Sequence, residues 1–358
     1  MKVVISAGGT GGHINPALAI IDKIKKENPN SEFLYIGTTN RMEKDIIPSK
    51  NIPYIGIKMS GLKRKLSFDN IKAINNLFKS IKICKKEIKK FNPDIVIGAG
   101  GYVTAPVIYA AKKCGYKTLI HEQNSILGLS NKILLKYTNT LCTSFESMKI
   151  DNVNCVYTGN PCMEKAILEK PFKKEDFNLS KTKKTVLIVM GSLGSSTVNE
   201  VLKKCLNKFD NPKYEVVIIT GKNYYDQYNK LNKSNNVHIY PYVDDLVRLI
   251  KISDLIVTRA GATTLCEIIA TKTPSILIPS PYVTENHQYK NAMNLVNNDA
   301  ALLLEEKDLN ENSLISMINN VINDSKKLHE MKNNLGKMIK SNSTDLIYKE
   351  IIKLVNNK

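Results

Sequence analysis

A chain of 358 residues, 42% hydrophobic and 24% charged, has a globular composition and the length of two ordinary domains. It has no run of 18 apolar residues, so no transmembrane helix is expected; the uncharged run 95–111 is broken by Gly98, Gly100, Gly101 and Pro106. The net charge of +19 is either compositional, in a chain rich in Lys, Asn and Ile, or the mark of an anionic partner such as nucleic acid or anionic lipid.

The first residues pass straight into a glycine loop without the long apolar stretch of a signal peptide, which predicts a cytosolic protein or one on the cytosolic face of a membrane. Residues 2–6 read as a first strand. Asn15 is placed to cap a helix with Pro16 at its first position. Ala17, Leu18, Ile20, Ile21 and Ile24 give that helix its apolar face. Residues 32–37 and 52–57 are predicted strands, and 58–70 form a basic loop. A long helix over 70–91 should bury the stripe Ile71, Ile74, Phe78, Ile81 and Ile88. Strands follow at 94–98, 117–121, 140–143 and 155–158, with a helix at 104–113. Gly159-Asn160-Pro161 looks like a linker, and the charged stretch 164–184 separates two sheets. The second half repeats the theme with strands at 185–190, 215–220, 237–240, 254–258, 275–279 and 300–304, then helices ending at about 343–355. This alternation predicts an α/β fold with parallel sheets and right-handed crossovers. Cys84, Cys114, Cys142, Cys155, Cys162, Cys205 and Cys266 are scattered and never form Cys-x-x-Cys, which points to reduced thiols rather than a zinc site.

Three apolar runs end in glycines and enter a helical pattern: 3–13, 95–105 and 186–196. Glycines let the backbone turn and approach a ligand, and the helix start offers N–H groups to phosphate. The loop Gly8-Gly9-Thr10-Gly11-Gly12-His13 is not a dinucleotide fingerprint, because Ile14 stands where the third glycine would fall. The chain also lacks a Gly-x-x-x-x-Gly-Lys-[Ser/Thr] motif. His13 at the loop's exit is either a general base or a residue that only hydrogen-bonds the loop. Glu267, one turn into a helix starting near Thr263, either accepts ribose hydroxyls or forms a capping box with Thr264. The amide-rich stretch 284–291 either binds sugar hydroxyls or is a solvated helix start.

Seven motifs occur in order: Gly8-Gly-Thr-Gly-Gly-His13, Gly100-Gly-Tyr-Val-Thr-Ala-Pro106, His121-Glu-Gln-Asn124, Gly159-Asn-Pro161, Gly191-Ser-Leu-Gly194, Arg259-Ala-Gly-Ala-Thr-Thr-Leu-Cys-Glu267 and Gln288-Tyr-x-Asn-Ala292. Together, from residue 3 to about 300, they resemble the MurG family of undecaprenyldiphospho-muramoylpentapeptide β-N-acetylglucosaminyltransferases. The resemblance implies a GT-B fold, two Rossmann-like parallel-sheet domains facing across a cleft. Residues 1–162 would form an acceptor and membrane-facing domain and 163–358 a UDP-GlcNAc domain, with the last helix packing back on the first. It implies inverting transfer of N-acetylglucosamine from UDP-GlcNAc to the C4 hydroxyl of a lipid-linked muramoyl-pentapeptide, with no cofactor and no required metal. The expected location is peripheral, on the cytoplasmic side of the cell membrane, against an anionic surface.

Carried over, Thr10, Gly11, Gly12 and Asn124 match positions that contact the donor from the N-terminal side. Ser192 matches a phosphate-binding serine, and Val243, beside Tyr242, a backbone amide that reads uracil. Ala262, Thr263, Thr264, Leu265, Cys266 and Glu267 match the diphosphate and ribose segment, and Gln288 a reader of the sugar hydroxyls. His13 matches the general base, with Glu122 as the second candidate. Two departures stand out: Met163 replaces a common arginine, and His287 a second glutamine. Two other readings are carried alongside. One is a UDP-GlcNAc 2-epimerase-like enzyme of the same fold. The other is a basic nucleic-acid-binding protein, which the absence of Trp and of aromatics interleaved with the basic run weakens, so no nucleic-acid partner is expected.

Overall fold

The computed structural model describes residues 1–60, 68–190, 196–209, 211, 213–232 and 234–357, the side chains of 68 and 69 excepted. The chain forms two compact units, one of Met1–Cys162 with Asn342–Lys358 and one of Met163–Ser341.

In the first unit the order is β1 (Lys2–Ser6), α1 (Gly11–Glu27), β2 (Glu32–Thr38), α2 (Glu43–Ser49), β3 (Tyr54–Ile57), α3 (Phe68–Phe91), β4 (Ile95–Gly98), α4 (Thr104–Lys113), β5 (Lys117–Glu122), α5 (Leu129–Leu134), β6 (Thr140–Thr143) and β7 (Asn154–Tyr157). Its seven strands are parallel, in the order β3-β2-β1-β4-β5-β6-β7. The chain winds outward from β1 to β3 and returns to lay β4 against β1, pairing Ile5 with Ile97 and Ser6 with Gly98. That reversal leaves a gap between the two crossovers at the carboxyl ends of β1 and β4, where α/β sheets bind ligands. Strand alternation divides the core: Val3 and Ile5 point toward α1, while Val4 and Val96 point toward the side covered by α3 and α4.

The second unit runs α6 (Cys162–Leu168), β8 (Lys184–Val189), α7 (Ser196–Cys205), β9 (Tyr214–Ile219), α8 (Tyr225–Leu231), β10 (Val237–Tyr240), α9 (Leu246–Ile250), β11 (Leu255–Thr258), α10 (Ala262–Thr271), β12 (Ser275–Leu277), α11 (His287–Val296), β13 (Ala301–Leu303), α12 (Glu311–Ile322) and α13 (Ser325–Lys337). Six parallel strands in the order β10-β9-β8-β11-β12-β13 repeat the reversal, now between β8 and β11. The last helix, α14 (Ser343–Asn356), returns to the first unit, where Ile347 and Ile351 are buried with α1 residues.

Strand expectations hold to within one or two residues at the ends, the usual ambiguity of such boundaries. Three helical readings change. α1 begins at Gly11 after an extended Thr10 (φ −143°), not at Asn15, and Pro16 lies inside it. The glycines and His13 therefore form the helix's first turn, and Pro16, its sixth residue, has no N–H to give the Gly12 carbonyl. In α3 the predicted stripe holds only toward the carboxyl end: Ile88 is buried and Ile81 partly so, but Ile71, Ile74 and Phe78 face outward, 64%, 46% and 62% exposed. The buried face is Ala73, Ser80, Cys84 and Ile88, mostly small residues that let α3 pack closely on the alanine-rich α4. Finally, the charged stretch 164–184 contains most of α6 and a short 3-10 turn at Lys174–Phe177.

Candidate active site

The β1–α1 and β4–α4 loops meet at the reversal in the first sheet. Gly8 N–H donates to the Gly100 carbonyl at 3.2 Å, and Ala99 N–H to Ser6 at 2.8 Å. The contact demands glycine on the β4 side: Gly101 has φ +87°, and a Cβ there would fall 2.5 Å from the Gly8 oxygen. A Cβ on Gly100 would fall 2.4 Å from the His13 ring. His13 Nδ1 lies 3.0 Å from the Gly8 carbonyl, which can only accept. Nδ1 therefore carries the hydrogen, and Nε2 of the neutral ring is the basic nitrogen. Thr10, Gly11 and Gly12 stand beside it, at the helix cap and first turn, all with some surface exposed.

Glu122, at the end of β5, is buried and fully used. Oε1 accepts Asn124 N–H and Asn124 Nδ2 at 3.0 Å each; Oε2 accepts Gly128 N–H at 2.9 Å and Asn131 Nδ2 at 2.7 Å. Four donors on two oxygens make it the clamp of the 123–131 segment, so its lone pairs are committed to the fold. Asn124 is half-exposed and oriented by that clamp. Neighbouring His121 bonds the Gly159 carbonyl at 3.1 Å and Gln123 at 3.0 Å. Burial pushes its pKa down to about 4, so it stays neutral.

In the second unit the loop after β11 is held by a buried ion pair. Arg259 contacts Glu306 at 2.6 Å and the Ile278 carbonyl at 3.0 Å. Asn291 Nδ2 donates to the Ala260 carbonyl at 3.3 Å. With this turn fixed, α10 starts at Ala262, so Ala262, Thr263 and Thr264 present its first-turn N–H groups, a ready anion site. Gly261 is the cap and makes no side-chain bond. The capping-box reading of Thr264 and Glu267 thus fails, since Thr264 already lies within the helix. Leu265 and Cys266 face the core. Glu267 retains some exposed surface, but burial raises its pKa to about 7, with Lys165 opposing.

Gln288 Oε1 accepts Ser280 N–H at 2.8 Å, which turns its Nε2 donors outward from that contact. His287 Nδ1 donates to the Thr284 carbonyl at 2.9 Å. Val243 is half-buried beside exposed Tyr242. Met163, which replaces a common arginine of the resembled motif, is a packing residue, 4% exposed, whose sulfur takes the Lys340 N–H. Ser192 and the Gly191–Gly194 motif lie outside the described residues. Sequence reasoning missed Asn131, the Arg259–Glu306 pair and Glu43. Glu43 is fully buried beneath the first glycine loop but reads in sequence as an ordinary acid in a helix's first turn.

Replacing Glu122 with Gln leaves an amide N–H₂ facing main-chain and side-chain donors. A loss of about 2–3 kcal/mol is expected, measured by denaturant unfolding, with new proteolytic cleavage within 123–131. An unchanged midpoint would mean the four donors find other acceptors.

Residues 3–143 match the glycosyltransferase family 28 N-terminal domain and residues 185–348 the family's C-terminal domain. A Bacillus thuringiensis (strain Al Hakam) protein named UDP-N-acetylglucosamine--N-acetylmuramyl-(pentapeptide) pyrophosphoryl-undecaprenol N-acetylglucosamine transferase 2 is 43% identical over 99% of this chain and 100% of its own. A Bacillus licheniformis transferase with the same name, unnumbered, is 44% identical over 93% of both chains. Among solved structures, Acinetobacter baumannii MurG is 26% identical with a TM-score of 0.80, covering 98% of this chain and 99% of its own. A UDP-N-acetylglucosamine 2-epimerase, 13% identical over 100% of this chain and 97% of its own with a TM-score of 0.71, shares the fold alone. The chain belongs to glycosyltransferase family 28 and, within it, to the MurG family, with two Rossmann-like parallel-sheet units of the GT-B type.

Proposed function

We propose that this chain transfers N-acetylglucosamine from UDP-GlcNAc to the C4 hydroxyl of undecaprenyl-diphospho-muramoyl-pentapeptide, with inversion at C1. The observation that carries this reading is the full-length relationship to transferases named for that reaction, at 43% identity. The epimerase reading has only a shared fold behind it. In the proposed step the C4 oxygen attacks C1, the C1–O bond to the diphosphate breaks, and UDP leaves with the electron pair. His13 Nε2 takes the C4 hydroxyl proton, and the tautomer fixed by Gly8 supports that role. Glu122 is the weaker candidate base because four donors already occupy it. The N–H groups of Ala262, Thr263 and Thr264, with Ser192, would receive the charge that builds on the diphosphate. Thr10, Gly11, Gly12 and Asn124 border the donor sugar, Val243 the uracil and Gln288 the sugar hydroxyls. Leu265 and Cys266 shape the segment from within the core. Glu267 accepts the ribose hydroxyls; among the described residues no hydrogen bond to its carboxylate competes for that role.

The acceptor is lipid-linked, and α3 suits a bilayer surface. No described helix is long and apolar enough to cross a membrane. Ile71, Ile74 and Phe78 recur at helical spacing on an exposed face, with Lys72, Lys79, Lys82 and Lys86 exposed around them. Apolar side chains ringed by lysine are the pattern of an interfacial helix on anionic lipid. We place the protein peripherally, on the cytoplasmic side of the cell membrane.

The direct experiment is incubation with UDP-GlcNAc and the lipid-linked acceptor, following UDP release. Release that needs the acceptor is expected; release without it would favour the epimerase. His13→Ala should lower kcat by about 10²-fold or more with UDP affinity unchanged.

UDP-GlcNAc binding should depend on pH through Glu267. Between its unfolded value of about 4.5 and its folded value of about 7 the unliganded fold binds the extra proton, so stability falls as pH rises through that window. Ribose hydroxyls need the ionised acceptor, so affinity should rise about tenfold from pH 6 to pH 8. Glu267→Gln should flatten that dependence and weaken binding about tenfold at pH 8. Calorimetry showing a pH-independent wild type would remove Glu267 from the donor site.

Sedimentation with anionic vesicles at low salt, release at high salt and no binding to neutral vesicles are expected, since each basic residue at such a surface contributes about 1 kcal/mol. Ile74→Ser with Phe78→Ser should weaken vesicle binding and spare UDP affinity. Equal binding to neutral vesicles would overturn the electrostatic half of this placement.

A further inference from the structure

The peptide unit joining Gly8 to Gly9 is hydrogen-bonded at both ends. Its N–H, on Gly9, donates to Glu43 Oε2 at 3.1 Å. Its carbonyl, on Gly8, accepts from His13 Nδ1 at 3.0 Å. A buried carboxylate and the imidazole are thus connected through a single amide. We propose that Glu43 is a positioning residue for His13, acting through the Gly8–Gly9 peptide to fix the ring's tautomer and strengthen Nε2 as a base. The proposal rests on the reading of His13 as the general base.

Glu43 is the first residue of α2 and has no exposed surface. Besides Gly9 it accepts the Thr38 N–H at 3.1 Å and the Thr38 hydroxyl at 2.7 Å, both on Oε1. All three partners donate, which is what an ionised carboxylate requires. Among the described residues no Lys or Arg pairs with it, so neutral dipoles alone hold its charge. Two glycines make the space: a Cβ on Gly8 would lie 2.3 Å from Glu43 Oε1, and one on Gly37 2.8 Å from its Cγ. The fold therefore accommodates a buried carboxylate at this point, where a loop anchor alone would need only a neutral acceptor.

The reason for a charge follows from the amide. Hydrogen bonds in series polarise one another in a low-dielectric interior. An anion at the N–H end makes the carbonyl a stronger acceptor, which holds Nδ1–H and favours positive charge on the ring as Nε2 takes a proton. A carboxylate bonded directly to a histidine does the same in hydrolytic triads; here one peptide is interposed. The peptide keeps its proton, so the one that changes place is the proton moving from the acceptor hydroxyl to Nε2. Among the described residues, Tyr35, Tyr54, Asp45 and His121 are titratable groups that bond to or act on the residues of this chain. Tyr35 and Tyr54 donate to the Ala7 and Thr38 carbonyls, and burial followed by the Glu43 charge raises both phenols, so they stay protonated. Asp45 acts on Tyr54 more weakly than Glu43 does. His121, which bonds the same Gln123 whose oxygen lies against Gly100, is neutral.

The test uses the full chain and the acceptor-dependent assay across pH. Glu43→Gln keeps the shape but turns an N–H₂ toward a donor. It should lower kcat about tenfold or more, leave KM for UDP-GlcNAc unchanged, and move the acid limb of kcat/KM down by at least about half a pH unit. Glu43→Asp keeps the charge and should return the limb toward its wild-type position. A Glu43→Gln enzyme that melts earlier but keeps the wild-type kcat and limb would reduce Glu43 to a loop anchor and overturn the proposal. His13→Ala separates the two readings. If it retains kcat, the base assignment itself falls; if it is inactive while the Glu43→Gln limb is unmoved, only the coupling falls. A measurement on the wild type covers a variant that fails to fold. With ¹⁵N-glycine and labelled histidine, the Gly9 amide proton should resonate far downfield and shift as His13 titrates. A Gly9 amide indifferent to His13 protonation would overturn the proposal.

Discussion

The pairing of β1 with β4 is the constraint on which the first unit's chemistry depends. These strands are far apart in sequence, and laying them side by side brings two glycine loops into backbone contact at the carboxyl ends of the central strands. Once Gly8 N–H donates to Gly100 and Gly101 sits over the Gly8 carbonyl, no side chain fits between the loops. The same closeness turns the Gly8 carbonyl toward His13 and sets which ring nitrogen is basic. In the second unit β8 and β11 meet in the same way, yet the turn after β11 is secured differently, by the buried Arg259–Glu306 pair. A buried ion pair repays its desolvation only when its remaining groups are also bonded, and the Ile278 carbonyl meets part of that need.

Three carboxylates illustrate how donor number assigns a role. Glu122 receives four donors and Glu43 three, and each is a fixed point of the backbone around it. Glu267 receives none among the described residues, and burial alone raises it. An under-satisfied buried acceptor gains most from a ligand that brings hydroxyls, because the hydrogen bonds it lacks are restored on binding.

Much of this was legible in the sequence. Val- and Ile-rich runs ending in glycine gave the central strands almost residue for residue, because strands buried on both faces leave no room for polar side chains. Each glycine and small-residue motif in the described chain lies at the carboxyl end of a strand. What was not legible depended on tertiary contact. The first half of the α3 stripe departs from expectation because apolar spacing marks a face without saying which way it points; Ile88 is buried, but before it the small residues Ala73, Ser80 and Cys84 take the inner side. The α1 start was misread because Asn15-Pro16 is a good local signal that two preceding glycines override by entering the helix earlier. Glu43 could not be singled out at all, since its partners are two main-chain N–H groups and one hydroxyl that only the fold assembles.

The return of α14 to the first unit has a consequence for how the chain is made. Ile347 and Ile351 complete a core begun by Val3, Ile5 and Ile14, so residues translated first wait for residues translated after the whole second unit. The second unit is continuous in sequence and can close as it emerges from the ribosome. The first, though synthesised earlier, keeps part of its α1 face uncovered until α14 is free of the exit tunnel. Order of synthesis and order of completion are therefore reversed, and the half that carries the glycine loop and His13 is the last to mature.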